Sequence, residues 1–320
     1  MSRALAIVAA IALGAGPALA QFGATGPTQP AAALPASAAP QFSGPDAAFA
    51  AYQRGYYVTA YREALKALES NPNDAAAMAL LGQIYADGLS LARDEKEAAR
   101  WFRLSADRGY APAIFQLGVM ALDGRGVDKN VAEARRLFEA AAASGHGGAL
   151  YNLGVLEIET GGDKPDFTKA ADYFRRGAEA GDADAAYSLG LLYRQGRGVA
   201  RDAAEAARWI GKAADERLLA AEVEYAIMLF NGEGVEKNEP AAAKLFLRAA
   251  WRDNPAAQNR IARILAAGRG MPKNLVEALK WHVLARAAGI EDAWLDDQMI
   301  ALPAEQRARV EEAVRRHLGR

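Results

Sequence analysis

The chain has 320 residues, with 38 Lys and Arg against 39 Asp and Glu and a formal charge of −1 at pH 7. That balance gives no electrostatic basis for binding nucleic acid or an anionic membrane surface. The absence of cysteine excludes disulfides and the thiol that bacterial lipoprotein anchoring requires, and the length exceeds what one ordinary globular core uses.

In chain order, Ser2-Arg3, an apolar run from Ala4 to Leu13 and the small-x-small motif Ala18-Leu19-Ala20 predict a signal peptide over 1–20, cleaved before Gln21. The apolar run is too short to span a bilayer. Residues 21–45 hold Pro27, Pro30, Pro35, Pro40 and Pro45 among Gly, Ala and Ser, and predict a disordered leader that cannot offset its ordering entropy. Residues 46–73 predict a helical hairpin. Phe49, Tyr52 and Gln53 close its first helix at Gly55. Ala60, Tyr61, Ala64, Leu65 and Leu68 form the stripe of its second, which ends before Pro72.

A 36-residue period then runs for six copies. Leu81-Gly82, Leu117-Gly118, Leu153-Gly154 and Leu189-Gly190 continue as Tyr225-Ala226 and Ile261-Ala262. Trp101, Leu137, Tyr173, Trp209, Leu245 and Trp281 keep the same step, as do Ala98, Ala134, Ala170, Ala206, Ala242 and Ala278. Columns in register over most of a chain mark a repeat solenoid, an architecture suited to binding. In the unit 111–146, Ala113, Leu117, Met120 and Ala121 stripe a first helix, which Gly124-Arg125-Gly126-Val127 breaks. Ala134, Leu137, Phe138 and Ala141 stripe the second, which ends at Gly145. Asp94, Asn130, Asp166, Asp202, Asn238 and Asn274 are expected N-caps. Glu97, Glu133, Glu205 and Glu277, three residues after four of them, are expected to complete capping boxes. The Gly and Ala columns let the helices of a unit approach closely, and the Trp/Leu/Tyr column is expected to fill the gap to the next unit. Arg217 and Asp253 stand where other units end on Gly. Residues 290–320 predict terminal capping helices, with Pro303 opening the last one and Val310, Ala313, Val314 and Leu318 facing inward.

Catalytic constellations are nearly absent. His146, His282 and His317 have no second ligand at a metal-binding spacing, and His146, beside Gly145, is expected to suit a helix C-terminal dipole as a cation. Ser188 lies mid-helix, not on a strained elbow after a strand. The Gly-x-Gly pairs (Gly124/Gly126, Gly196/Gly198, Gly232/Gly234 and Gly268/Gly270) recur at the repeat period and follow helices, so they read as turns rather than phosphate loops. What remains is a surface on the first helices, opposite the core stripe at helical spacing. It carries Phe115, Val119, Leu122 and Asp123, then Tyr151, Asn152, Val155 and Ile158, then Tyr187, Ser188, Leu191, Arg194 and Gln195, then Glu224, Ile227, Phe230 and Asn231.

The repeat reads A-x-x-x-L-G, then G-x-G-V-x-K/R-N/D, then A-x-x-W/L/Y-F, then A-A-x-x-G. It resembles the Sel-one-like repeat family, a helical-hairpin relative of the tetratricopeptide repeat, over roughly residues 74–289, and the hairpin 46–73 is itself tetratricopeptide-like. The resemblance implies an all-α, right-handed superhelical solenoid of antiparallel helix pairs. It implies a non-enzymatic scaffold or adaptor, able to regulate its partner, that docks a peptide or helix of another protein in a concave groove lined by the surface just described. With the signal peptide, the expectation is a monomer in the periplasm or secreted, with an exported or envelope protein as partner. No nucleic acid, membrane insertion after cleavage, cofactor or metal is expected. Two alternatives stand beside it. One is peptidoglycan or polysaccharide binding, with Tyr151, Tyr187 and Trp251 stacking on sugars. The other is a β-lactam-binding or hydrolysing enzyme, as linked to cysteine-rich relatives.

Overall fold

Each 36-residue segment contains two helix-forming stretches separated by a Gly-containing break, too short to bury its apolar stripes alone. The computed structural model describes residues 46–89, 91–162 and 164–319. The predicted signal peptide and leader lie outside the described residues. The described residues form sixteen α-helices and no strand, and none of these helices is long and apolar enough to cross a membrane.

The chain divides into two compact units, Met1–Ala180 and Gly181–Arg320. In the first, α1 (Ala47–Gln53) and α2 (Tyr57–Ser70) form a hairpin. The pairs α3 (Ala75–Asp87) and α4 (Glu95–Ala106), α5 (Ala111–Asp123) and α6 (Val131–Ala143), and α7 (Gly147–Glu159) and α8 (Phe167–Glu179) follow. The second unit contains α9 (Ala183–Gln195) and α10 (Ala203–Asp215), α11 (Leu219–Asn231) and α12 (Glu239–Ala250), and α13 (Pro255–Ala267) and α14 (Leu275–Ala287). The short α15 (Ala293–Ile300) and the terminal α16 (Ala304–Leu318) complete it.

One device closes each of the six repeat hairpins from α3–α4 to α13–α14. Asp94, Asn130, Asp166, Asp202, Asn238 and Asn274 each accept backbone N–H groups of the following turn on their side chains, as expected of N-caps. The reciprocal half of the capping box does not form. The cap's own N–H instead donates to a carbonyl nine residues earlier on the first helix, as in Asn130 to Ala121, Asp202 to Tyr193 and Asn274 to Leu265. With that donor taken, the box glutamates pair one turn on. Glu97 meets Arg100 at 2.9 Å, Glu133 meets Arg136 at 2.7 Å, Glu205 meets Arg208 at 2.6 Å, and Glu277 meets Lys280.

Within a hairpin, the Gly column sits beneath a large side chain of the second helix. A Cβ on Gly118 would lie 2.7 Å from the Phe138 ring, and one on Gly154 would lie 2.6 Å from Phe174. Both rings are fully buried. The Trp/Leu/Tyr column in the first unit does not simply fill the gap ahead, although Leu137 does pack on the core that includes Leu150 and Leu153 of the following hairpin. Trp101 packs on the core around Ala60, Leu81 and Ile84, and Leu137 reaches the core around Phe102 and Leu117. The Gly-x-Gly turn divides its labour between hairpins. Gly124 and Gly232 take φ of +76° as helix C-caps, whereas Gly126 and Gly234 press against the preceding hairpin, where an added Cβ would lie 2.0 Å from the Glu95 carbonyl oxygen and 1.9 Å from that of Ala203.

Where terminal Gly is replaced, the left-handed backbone persists, with Arg217 at φ +63° and Asp253 at +57°. The Arg217 side chain is exposed, and its carbonyl accepts from Arg252 at 2.8 Å. Arg217→Gly keeps that carbonyl and removes the Cβ clash of the left-handed conformation, a gain partly offset by a looser unfolded chain. It is expected to stabilise the protein by roughly 0.5–1 kcal/mol, read as a higher urea midpoint at unchanged slope.

His146 does not meet a helix C-terminus as a cation. It is the N-cap of α7, its Nδ1 accepting the Ala149 N–H at 3.2 Å and its ring stacked on Phe115 at a centroid distance of 4.5 Å. Burial holds its pKa below the ordinary value of 6.5. The unfolded chain therefore takes up the proton first, so this residue's contribution to stability is complete above the unfolded pKa and is lost as pH falls from there through the lower folded one. His146→Asn, which keeps a cap and cannot titrate, is expected to flatten the difference in melting temperature between about pH 7 and pH 5.

At the C-terminal end, Val310 is buried as expected, but Leu318 is 70% exposed. His317 takes the inward place, its ring 4.9 Å from Trp251 and 5.2 Å from Trp281. Two flat indoles offer an imidazole a face and an edge that a leucine could not use as well.

Candidate docking site

The face expected to bind a partner is mostly closed by packing. In the first unit, Tyr151 and Val155 are buried, and the Tyr151 ring lies 5.7 Å from Phe174. Phe115 is half-buried between His146 and Phe138, Val119 packs on the α5–α6–α7 core, and Asn152 donates to the Gly148 carbonyl of its own helix at 2.8 Å. In the second unit, Tyr187, Ser188 and Leu191 are buried, and Arg194 is tied to Glu224 by an ion pair from α9 to α11. Burial first, and the Glu224 carboxylate second, push the Tyr187 phenol well up. The expectation that Tyr151, Val155, Tyr187, Ser188 and Leu191 line an open surface is therefore corrected. These side chains are core rather than surface, with Tyr151, for example, packed on Phe174 of its own hairpin. Leu191, with no exposed surface, is expected to destabilise by about 2–5 kcal/mol on change to Ala, visible as loss of helical circular dichroism at lower temperature.

The same burial bears on the alternatives. Tyr151 and Tyr187 offer no face to a sugar, and the exposed Trp251 packs edge-on against Trp281 at 5.1 Å. The Ser188 hydroxyl is enclosed mid-helix with no hydrogen-bond partner, out of reach of a substrate. Among the described residues no three His, Asp or Glu side chains gather in a way that could hold a metal ion.

Ile227 and Phe230 behave differently. Both are half-buried on α11 and line a cavity of about 450 Å³ in the second unit. Phe246 of α12 and Ile264 of α13, both buried, supply apolar lining, and Asn231, Ala267 and Trp294 complete the wall. Three arginines stand in that lining, Arg260 and Arg263 on α13 and Arg269 in the turn after it, with no acidic residue among them. Arg269 lies over the Phe230 ring at 4.3 Å and pairs with Glu239, whose carboxyl is held down at about 2 by hydrogen bonds from Arg269 and Lys237. Arg263 lies 5.7 Å from the Trp294 ring centroid.

Trp294 is positioned by an acidic N-cap. Asp292 accepts the Leu295 N–H as it opens α15, and reaches across to Asn259 and Arg263 of α13, each at 2.8 Å. Burial opposes ionisation of this carboxyl, but the bonds from Arg263, Asn259 and Leu295 outweigh it and hold the pKa at about 2. Arg260, Arg263, Arg269 and Trp294 were absent from the expected face. One more 36-residue step would have found two of them, since Arg260 follows Glu224 and Arg263 follows Ile227 in their columns. Trp294 lies beyond the last repeat, where the period carries no information.

Tandem antiparallel helix pairs, six of them closed by the same kind of side-chain cap, define an all-α repeat solenoid. The Sel1 repeat model matches residues 75–110, 111–146, 148–182, 183–217, 219–251 and 255–290, well over half of the chain, and the protein belongs to the Sel1 repeat family. It is similar to a Sel1 repeat protein from Oxalobacter formigenes, 30% identical with a TM-score of 0.65, over 75% of this chain and 98% of that one. It is also similar to a protective antigen with an SLR fold from uropathogenic Escherichia coli, 26% identical with a TM-score of 0.50, over 82% of this chain and 64% of that one. No curated protein matches the chain. Sel1 repeat proteins are generally protein-interaction scaffolds, and their all-helical fold is typically non-catalytic.

Proposed function

We propose that this chain is an exported protein-interaction scaffold that receives a segment of an envelope partner in the cavity between α11, α13 and α15. The observation that carries this reading is the contrast along the first helices. Phe115, Val119, Ile227 and Phe230 are all half-buried against neighbouring cores, but Ile227 and Phe230 also line the cavity, with Trp294 and three arginines. Aromatic and arginine side chains around an apolar floor are the composition of binding hot spots. Export rests on the basic start, short apolar run and Ala18-Leu19-Ala20 of the N-terminus.

Trp294 is 41% exposed, so Trp294→Ala is expected to spare the array. In crosslinking capture from an envelope fraction, a partner recovered by the wild type and by Val131→Ala, a surface variant of the first unit, should be lost with Trp294→Ala. Recovery of the same proteins by all three would sink the reading of this cavity. N-terminal sequencing of protein purified from the envelope should begin at Gln21; a chain retaining Ser2-Arg3 would rule out export by cleavage.

A further inference from the structure

The cavity's charge says what kind of segment it takes, granted the docking reading above. Its lining holds three guanidinium groups and no carboxylate. Two of the three are already engaged: Asp292 takes Nε and Nη2 of Arg263, and Glu239 takes Nη2 of Arg269. Each uses part of a five-donor fork. Arg260 is exposed on the same face of α13, one turn before Arg263, and among the described residues it has no ion pair or side-chain hydrogen bond. It thus presents an uncompensated positive charge beside an apolar hollow floored by Phe246 and Ile264. A volume of about 450 Å³ admits one or two large side chains, not a folded element.

We infer that the cavity recognises an acidic segment of a protein partner, in which an aromatic or large aliphatic side chain is flanked by Asp or Glu. The apolar side chain enters between Ile227, Phe230 and Trp294, and a flanking carboxylate takes the fork of Arg260. Arginine is suited to this because it binds carboxylates bidentately and stacks on rings, as Arg269 already does on Phe230. The arginines are spread along α13 and its following turn rather than gathered at one point. That spread matches side-chain carboxylates distributed along a segment rather than a single terminal carboxylate.

The test is selection from a displayed library of random twelve-residue peptides against the full wild-type protein, Arg260→Glu and Trp294→Ala, with helicity of each checked by circular dichroism. The wild type should enrich peptides with Asp or Glu beside Phe, Trp or Leu. Those peptides should bind Arg260→Glu at least about tenfold more weakly, and raised salt should weaken the wild-type complex. Selection on Arg260→Glu should shift toward Lys and Arg. No enrichment, enrichment without charge bias, or an acidic bias that survives Arg260→Glu would each overturn the inference. Uncharged peptides that are nonetheless lost with Trp294→Ala would leave the docking reading intact while ending this one. Peptides that bind all three proteins alike would end both.

Discussion

Gly234→Ala should destabilise the protein by about 3 kcal/mol or more, the largest effect expected of any methyl-sized change in the array. Two costs coincide there. The residue sits at φ +68°, where an L side chain costs about 1–2 kcal/mol. Its Cβ would also lie 1.9 Å from the Ala203 carbonyl oxygen, a backbone atom of the preceding hairpin that no rotamer change can move aside. Overpacking of that kind adds roughly 1–3 kcal/mol, and here it is relieved only by parting the hairpins. Gly289→Ala is the control. It has φ +89° and nothing within 4 Å of the added carbon, so it should cost only the backbone part, about 1–2 kcal/mol. Urea unfolding of both variants decides the matter. Equal losses would mean that the second glycine of the turn serves conformation alone and does not set the spacing between hairpins.

Phe138→Ala should cost about 3–5 kcal/mol, because the ring is fully buried, fills the space over Gly118 and supports Phe115 at 5.8 Å. The more discriminating result is a change of sign at its partner. In the wild type, Gly118→Ala brings a methyl to 2.7 Å from the Phe138 ring, a clash of roughly 1–3 kcal/mol that outweighs the helix-propensity gain of about 1 kcal/mol. With Phe138 already cut back to Ala, the clash is gone and the same substitution should stabilise. A double-mutant cycle by chemical denaturation measures this coupling. Additive effects would show that the helices of this hairpin are not held by the glycine–ring contact.

The close approach explains why some of the molecule was readable in advance and some was not. The Leu-Gly column, the six cap residues and the Gly-x-Gly breaks are local requirements: a helix must start, stop and pass its neighbour, and each of these selects a residue type at a fixed spacing. They could be read from one repeat and checked in the next. The capping boxes failed for a reason outside that local grammar. The cap N–H of Asn130 has a better acceptor in the Ala121 carbonyl, which the hairpin brings near although it lies outside the motif. His146 failed similarly, because the boundary between one helix's end and the next helix's cap is a single residue wide.

The candidate site was the least legible part. Spacing marks which residues of a helix lie opposite its core stripe, and by that test Tyr187, Leu191, Ile227 and Phe230 are equivalent. Whether such a residue meets a neighbouring helix or open space depends on how far adjacent first helices stand apart, and spacing does not encode that distance. Leu191 is wholly buried while Phe230, on the next hairpin, looks into a cavity. The cavity's far wall is Trp294, aimed by Asp292 through bonds to Asn259 and Arg263 some thirty residues away in the chain.

By itself, then, the sequence determined the repeat, its helices and its turns, because these follow from short-range sterics and hydrogen bonding repeated at one period. Only the tertiary structure decided which apolar side chains are core and which are surface, and that Arg260, Arg263 and Arg269 border one cavity with Trp294. Those outcomes depend on distances between residues far apart in the chain, and a periodic pattern carries no measure of such distances.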